Sequence, residues 1–166
     1  MFTHVFNAMR PFHHREPGAA GAALTLPRVF PAVIADGVHV HPAALRILRW
    51  GTFLTTDRVA LAGTGGATMP LFGGLVKEAR IDDGAARLPD GTLAGSIITM
   101  RESVRTMIKH GVMNDRSIHR RTSGAPAEVL GLRDRGKIKL RARADLILAD
   151  AHLNMKAVFV GGRELD

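Results

Sequence analysis

Residues 29–57 read VFPAVIADGVHVHPAALRILRWGTFLTTD, and this stretch decides the fold class. Val29 to Ile34 is a short apolar run, closed by the turn pair Asp36-Gly37. Pro42 to Trp50 reads as a helix: proline suits a first helical position, and Leu45, Ile47 and Leu48 supply an apolar side. Phe53 to Thr56 is a second strand candidate and ends at Asp57. Strand, turn, helix and strand at this spacing predict α/β units with a parallel sheet.

Upstream, Phe2-Thr3-His4-Val5-Phe6 reads as the end of a strand, and residues 10–21 as polar and turn residues. Downstream, residues 63–74 are loop-rich. Two short runs, 75–81 and 85–88, carry Asp-Gly turns at Asp83-Gly84 and Asp90-Gly91, which predicts a β-hairpin excursion near 72–92. Ser96 then reads as the cap of a helix, with Ile97, Met100, Val104, Met107 and Ile108 at helical spacing and Gly111 at its end. A short helix is expected at Ala127 to Leu130. The tail, with apolar runs at 145–149 and 156–160 and a Gly161-Gly162 turn, suits a small β-domain.

The 166 residues suffice for one domain with a core, and 46% hydrophobic against 23% charged residues is a globular balance. No window offers the roughly 18 apolar residues of a membrane span, and no secretory signal is visible. Cysteine is absent, which excludes disulfides and thiolate metal sites and fits a cytoplasmic protein. The net charge of +8 favours phosphate-bearing partners. Nucleic acid is not expected among them, because there is one Trp, no Tyr and no interleaving of aromatic with basic residues. The basic stretches 116–121 and 133–143 read as solvated faces and turns.

Five features can carry chemistry. His4 lies at a predicted strand end, where an imidazole can bind zinc or simply be hydrogen-bonded near the core. Asp57 ends a strand, where a carboxylate can act as general base or cap a turn. His39 and His41 alternate along one segment, His39 being the better candidate and His41 a helix start. Arg15 matches phosphate geometry, and the glycine-bearing run 91–96 can bring backbone close to an anion.

In order along the chain, Thr3-His4-Val5-Phe6-Asn7-Ala8-Met9, Arg15-Glu16-Pro17-Gly18, Asp36-Gly37-Val38-His39-Val40, Thr56-Asp57, Asp90-Gly91-Thr92-Leu93-Ala94-Gly95-Ser96 and Ala142-Arg143-Ala144-Asp145-Leu146 resemble the motifs of the N-acetylglucosamine-6-phosphate deacetylases, within the amidohydrolase superfamily. The resemblance covers nearly the whole sequence. It implies an α/β fold forming part of a (β/α)8 barrel, its later strands and helices over residues 1–140, with residues 141–166 as C-terminal strands of a small β-domain. It implies hydrolysis of the acetamide of N-acetylglucosamine 6-phosphate by a water activated by a divalent metal, Zn2+ first. By motif match His4 is a metal ligand and Asp57 the proton-transferring catalyst. Asn7, Ala8, Arg15 and His39 contact the sugar phosphate, and Leu93, Ala94 and Gly95 offer backbone contacts. An arginine at the position of Arg15 reaching a neighbouring subunit's substrate implies a homodimer.

The sequence departs from the family in two ways. The family's other metal ligands, a glutamate and a histidine in a Gly-His-Ser motif, belong upstream of the position matching Met1, so the chain is expected to be a C-terminal part, inactive alone. Arg58 stands where the family has alanine, and a cation there is expected to lower the basicity of Asp57. The alternative reading is a non-catalytic half-barrel module that binds a sugar phosphate or a partner chain.

Overall fold

The structure, a computed structural model, describes residues 1–48, 51–64, 69–70 and 78–165. Its architecture is α/β with several sheets. Strands β1 (Ala32–Ile34) and β2 (Phe53–Thr55) pair in parallel, Ala32 opposite Phe53 and Ile34 opposite Thr55. Both are short apolar segments, and all three residues of β1 are buried, as befits a strand covered on both faces. The parallel arrangement continues on each side. Phe2 bridges Pro31, and the Val5 N–H donates to the Ala32 carbonyl at 2.8 Å. On the far side Arg58 bridges Ser96, also in parallel.

Four chain segments therefore lie in the spatial order 2–5, β1, β2 with its extension to 58, and the end of β6 (Leu93–Ser96). Between β2 and β6 the chain makes an antiparallel sheet in the order β3 (Met69–Pro70), β4 (Glu78–Asp82), β5 (Ala85–Arg87), β6. The hairpin expected near 72–92 is present in its described part, turning at Asp83-Gly84, where both residues have the positive φ that a tight hairpin turn requires. Residues 72–77 of that expectation lie outside the described residues.

The main core lies against the parallel sheet. Val5, Val33, Leu45, Leu48, Leu54, Val104 and Met107 pack together there. Helix α1 (Gly18–Thr25) lends it Ala23. Helix α2 (Pro42–Leu45) brings Leu45, and α3 (Met100–Lys109) brings Val104 and Met107. A separate small cluster, Leu61, Ala79 and Ala86, sits under the antiparallel sheet. A third, Ala32, Phe53 and Ala125, joins β1 and β2 to a helical run. That run is α4 (Asp115–His119), a π turn (Arg120–Gly124) and α5 (Ala125–Val129).

Five expectations need correction. Of the strand read at Phe2–Phe6 only Phe2 pairs, and residues 4–8 coil through turns. Part of the segment read as turns at 10–21 begins α1, whose GAAGAALT lacks an apolar stripe because nearly all of it is small, so periodicity is silent. The helix read over 42–50 ends at Leu45, with residues 49–50 outside the described set. Ser96 is not a helix cap but the last residue of β6. The cap is Thr99, whose hydroxyl accepts the Glu102 N–H while the Glu102 carboxylate accepts the Thr99 N–H, a reciprocal capping box.

The fifth concerns 115–129, read as a basic stretch plus a short helix. It is one helical run whose π turn is set by Pro126. A proline ring collides with the carbonyl four residues back, at Thr122, and offers it no N–H. The wider turn, with the Ala125 N–H bonded to the Arg120 carbonyl five residues back, accommodates this.

The tail forms a sheet of β7 (Leu146–Ala149), β8 (Met155–Val160) and β9 (Arg163–Glu164), in that order and antiparallel. Its β7–β8 loop docks on α3: Arg105 donates to the His152 carbonyl at 2.8 Å and to Asn154 Oδ1 at 3.1 Å, and Leu153 packs on the main core.

Candidate functional site

The carboxyl ends of the adjacent parallel segments carry His4, the Asp36–His39 turn and Asp57, in that order across the sheet. In open or closed parallel sheets this edge is where ligands bind, because the loops there are free to vary while the strands hold position.

The first segment is held by unusual backbone. His4, Phe6 and Ala8 have φ of 31°, 77° and 53°. Left-handed conformations cost a non-glycine residue about 1–2 kcal/mol, so three in five residues need a surrounding structure that imposes them. Val5, fully buried and bonded to Ala32, is the anchor. Around it the Asn7 N–H donates to the His4 carbonyl at 2.9 Å, and the His4 ring Nδ1 lies 3.1 Å from the Asn7 carbonyl. With Nδ1 held by that carbonyl, Nε2 is the His4 nitrogen left for a ligand. Asn7 donates its amide to the Val5 carbonyl at 3.4 Å.

The second segment closes on Asp36. Its Oδ1 accepts the N–H groups of Val38 and His39 at 2.9 and 2.8 Å, and Oδ2 lies 2.6 Å from His39 Nδ1. Both side chains are 3% exposed. Burial alone would push the Asp36 carboxyl up. The His39 ring, the two N–H groups and the His39 charge outweigh burial and hold it below the usual carboxylate value. Asp36, read from the sequence only as part of the turn that closes the apolar run, is the side chain that holds His39; the signal was an aspartate three residues before a histidine, the spacing of a side chain that closes its own turn. His39 and His41 do not work as a pair. His41 is exposed and caps α2, its Nδ1 accepting the Ala43 N–H at 3.2 Å.

Asp57 is exposed, with φ of 46°. Its carbonyl accepts the Ser96 N–H at 2.9 Å, and the Val59 N–H donates to the Ser96 carbonyl at 3.0 Å. The Ser96 hydroxyl bonds the Thr56 carbonyl. Leu93, Ala94 and Gly95 thus lead directly to Asp57. Gly95 is buried with φ of 118°, and a Cβ there would stand 2.6 Å from Val59 Cγ1 and 3.0 Å from the Asp57 carbonyl. Only glycine lets β6 approach this closely. Ala94 faces the Leu61 cluster, so the polar groups this strand offers a ligand are its backbone.

Arg15 is exposed; its guanidinium lies 3.0 Å from His14 Nε2, and no hydrogen bond joins it to His4, His39 or Asp57. Arg58 reaches toward Gly63, its Nη2 3.7 Å from where a Cβ would stand, and adds to the attraction on Glu102. The Thr99 side chain and N–H are the main reason the Glu102 carboxyl lies below its ordinary value.

No group of three or more His, Cys, Asp or Glu side chains able to hold a metal exists among the described residues. A catalytic zinc takes about three protein ligands. His4 by itself does not fit that requirement.

The chain is 35% identical over 166 residues to a putative N-acetylgalactosamine-6-phosphate deacetylase of Escherichia coli K12, covering 96% of this chain and 97% of that one. It is 37% identical over 171 residues to the N-acetylglucosamine-6-phosphate deacetylase of Bos taurus. It superposes on the crystal structure of the Thermotoga maritima N-acetylglucosamine-6-phosphate deacetylase with a TM-score of 0.90 at 34% identity, over 98% of this chain. The chain belongs to the N-acetylglucosamine-6-phosphate deacetylase family. It spans 41% of the length of the bovine deacetylase and 45% of the Thermotoga one. No protein-family model matches it.

Proposed function

We propose that this chain carries the substrate-facing side of a site that hydrolyses the acetamide of N-acetylglucosamine 6-phosphate, giving glucosamine 6-phosphate and acetate. One observation carries the reading: His4, Asp36–His39 and Asp57 line up at the carboxyl ends of adjacent parallel segments, with the β6 backbone against Asp57. In this reading the segments are later strands of an amidohydrolase barrel over residues 1–140, and 141–166 belong to a small β-domain. The protein works in the cytoplasm.

Asp57, open to water, takes a proton from the attacking water and returns it to the leaving nitrogen, so that the amine departs neutral. Asn7, the Ala8 backbone and His39 meet the sugar phosphate, and the backbone of Leu93 to Gly95 borders it. Arg15, exposed and turned to His14, serves the phosphate of a second copy in a dimer. A divalent metal, zinc first, is expected on His4, with its other donors coming from outside the described residues. No step above depends on it.

The test is calorimetric titration of the chain with N-acetylglucosamine 6-phosphate and its galacto epimer, followed by acetate release with zinc present. Binding that Asp57→Asn retains and His39→Gln weakens is expected, without turnover by this chain alone. Turnover above a metal-free control refutes the incompleteness of the metal site. Failure to bind either epimer refutes the sugar-phosphate site. The second reading, a non-catalytic module, is favoured by the exposed apolar β7 residues Leu146, Ile147 and Leu148. It predicts binding but no acetate release even when the N-terminal half of a relative is supplied.

A further inference from the structure

We propose that Asp36 is a positioning residue that fixes the tautomer of His39, keeping the ring proton on Nδ1 and presenting Nε2 to the ligand. The geometry leaves little choice. Both Asp36 oxygens are committed: Oδ1 to the N–H groups of Val38 and His39, Oδ2 to His39 Nδ1 at 2.6 Å. A carboxylate accepting two backbone N–H bonds has no proton of its own to share, so the proton in the 2.6 Å contact belongs to the imidazole. A neutral histidine free in water distributes its proton between both nitrogens, whereas here the second nitrogen is stripped of it. Nε2 bonds no described residue, so it is the atom available to a hydroxyl, or, when the ring is charged, to a phosphate oxygen.

The device is rigid because one carboxylate does two jobs. The same side chain that shapes the 36–39 turn also orients the ring that the turn carries, and both side chains are 3% exposed, so water does not compete for the contact. The hairpin tip stands behind it, with Val38 Cγ2 3.5 Å from where a Cβ at Gly84 would be.

The ligand part of this inference rests on the proposed function, and the tautomer part does not. The test uses the uniformly 15N-labelled chain and long-range 1H–15N correlation of the histidine rings, with His39 identified by the loss of its signals in His39→Gln. Expected, at a pH where the ring is neutral, is a protonated Nδ1 and a bare Nε2. Asp36→Asn keeps Oδ1 for both backbone N–H groups, so the turn survives, but places an NH2 group against Nδ1. That exchange must move the proton to Nε2. Unchanged backbone resonances elsewhere confirm that the variant folds.

A neutral ring carrying its proton on Nε2 in the parent chain, or an unaltered tautomer in Asp36→Asn, overturns the proposal. In the same samples, affinity for N-acetylglucosamine 6-phosphate should fall about tenfold in Asp36→Asn, the loss of one well-placed hydrogen bond. Equal affinity with an inverted tautomer overturns the ligand-facing role of Nε2. Should the parent chain bind no sugar phosphate while its His39 is protonated on Nδ1, the functional reading fails and the positioning role of Asp36 stands.

Discussion

Replacing Gly95 by alanine tests whether β6 is what holds Asp57 in place. The added Cβ would stand 2.6 Å from Val59 Cγ1 and 3.0 Å from the Asp57 carbonyl, at a φ of 118°. The backbone strain of a non-glycine residue in that region costs about 1–3 kcal/mol, and forcing a methyl into a filled space costs about 1–3 kcal/mol more. The chain relieves part of both by shifting, so a net loss of about 3 kcal/mol is expected. For a chain of this size that corresponds to roughly 6–12 °C in melting temperature. Urea unfolding monitored by circular dichroism, at unchanged slope, measures it. A second variant separates the two causes. Val59→Ala removes the Cγ1 obstacle but not the Asp57 carbonyl or the φ, so Gly95→Ala should cost less in that background by about 1 kcal/mol. If Gly95→Ala falls within about 0.5 kcal/mol of the parent, the range of an ordinary surface substitution, the close approach of β6 to Asp57 is wrong.

Three further outcomes follow from other parts of the molecule. Asp36 has a folded-state carboxyl below its ordinary value, so its stabilisation is fully present above the unfolded carboxylate pKa of about 3.9 and is lost as pH falls through the lower folded value. The stability gap between the parent and Asp36→Asn should therefore shrink as acid unfolding is followed downward from pH of about 4. Thr99→Ala removes the cap of α3 and should cost about 1 kcal/mol by urea unfolding, whereas Ser96→Ala should leave α3 helicity intact. Arg121 is 8% exposed, with Nη1 unpaired among the described residues, and burial holds its pKa down. Arg121→Met should thus raise the melting temperature or leave it unchanged, and a loss above about 1 kcal/mol would show that the guanidinium is well paired.

Much of the candidate site was legible as residue types at loop positions. Asp57 follows a short apolar run and His39 the turn that closes another, and such a run predicts where a strand ends without any knowledge of its neighbours. What could not be read is how each is held. The left-handed backbone at His4, Phe6 and Ala8 has no local cause, since none is glycine or asparagine; it follows from Val5 being buried against Ala32. Asp36 looked like an ordinary turn residue, because its second oxygen acquires a function only when the turn closes and brings the His39 ring to 2.6 Å.

The sequence by itself determined the elements whose causes are local: the Asp83-Gly84 hairpin, the amphipathic stripe of α3, the tail strands with their Gly161-Gly162 turn, and the α/β alternation across 29–57. Each depends on residues within a few positions of one another, so periodicity and turn chemistry suffice. Tertiary structure alone decided the rest. Small-residue α1 is a helix because the core gives it a flush surface, and Ser96 ends a strand because the Thr56 and Asp57 carbonyls take its hydroxyl and N–H from forty residues away. Gly95 is needed because Val59 and Asp57 arrive beside it. Contacts between distant parts of a chain cost loop entropy that only the assembled core repays, and no local pattern announces them.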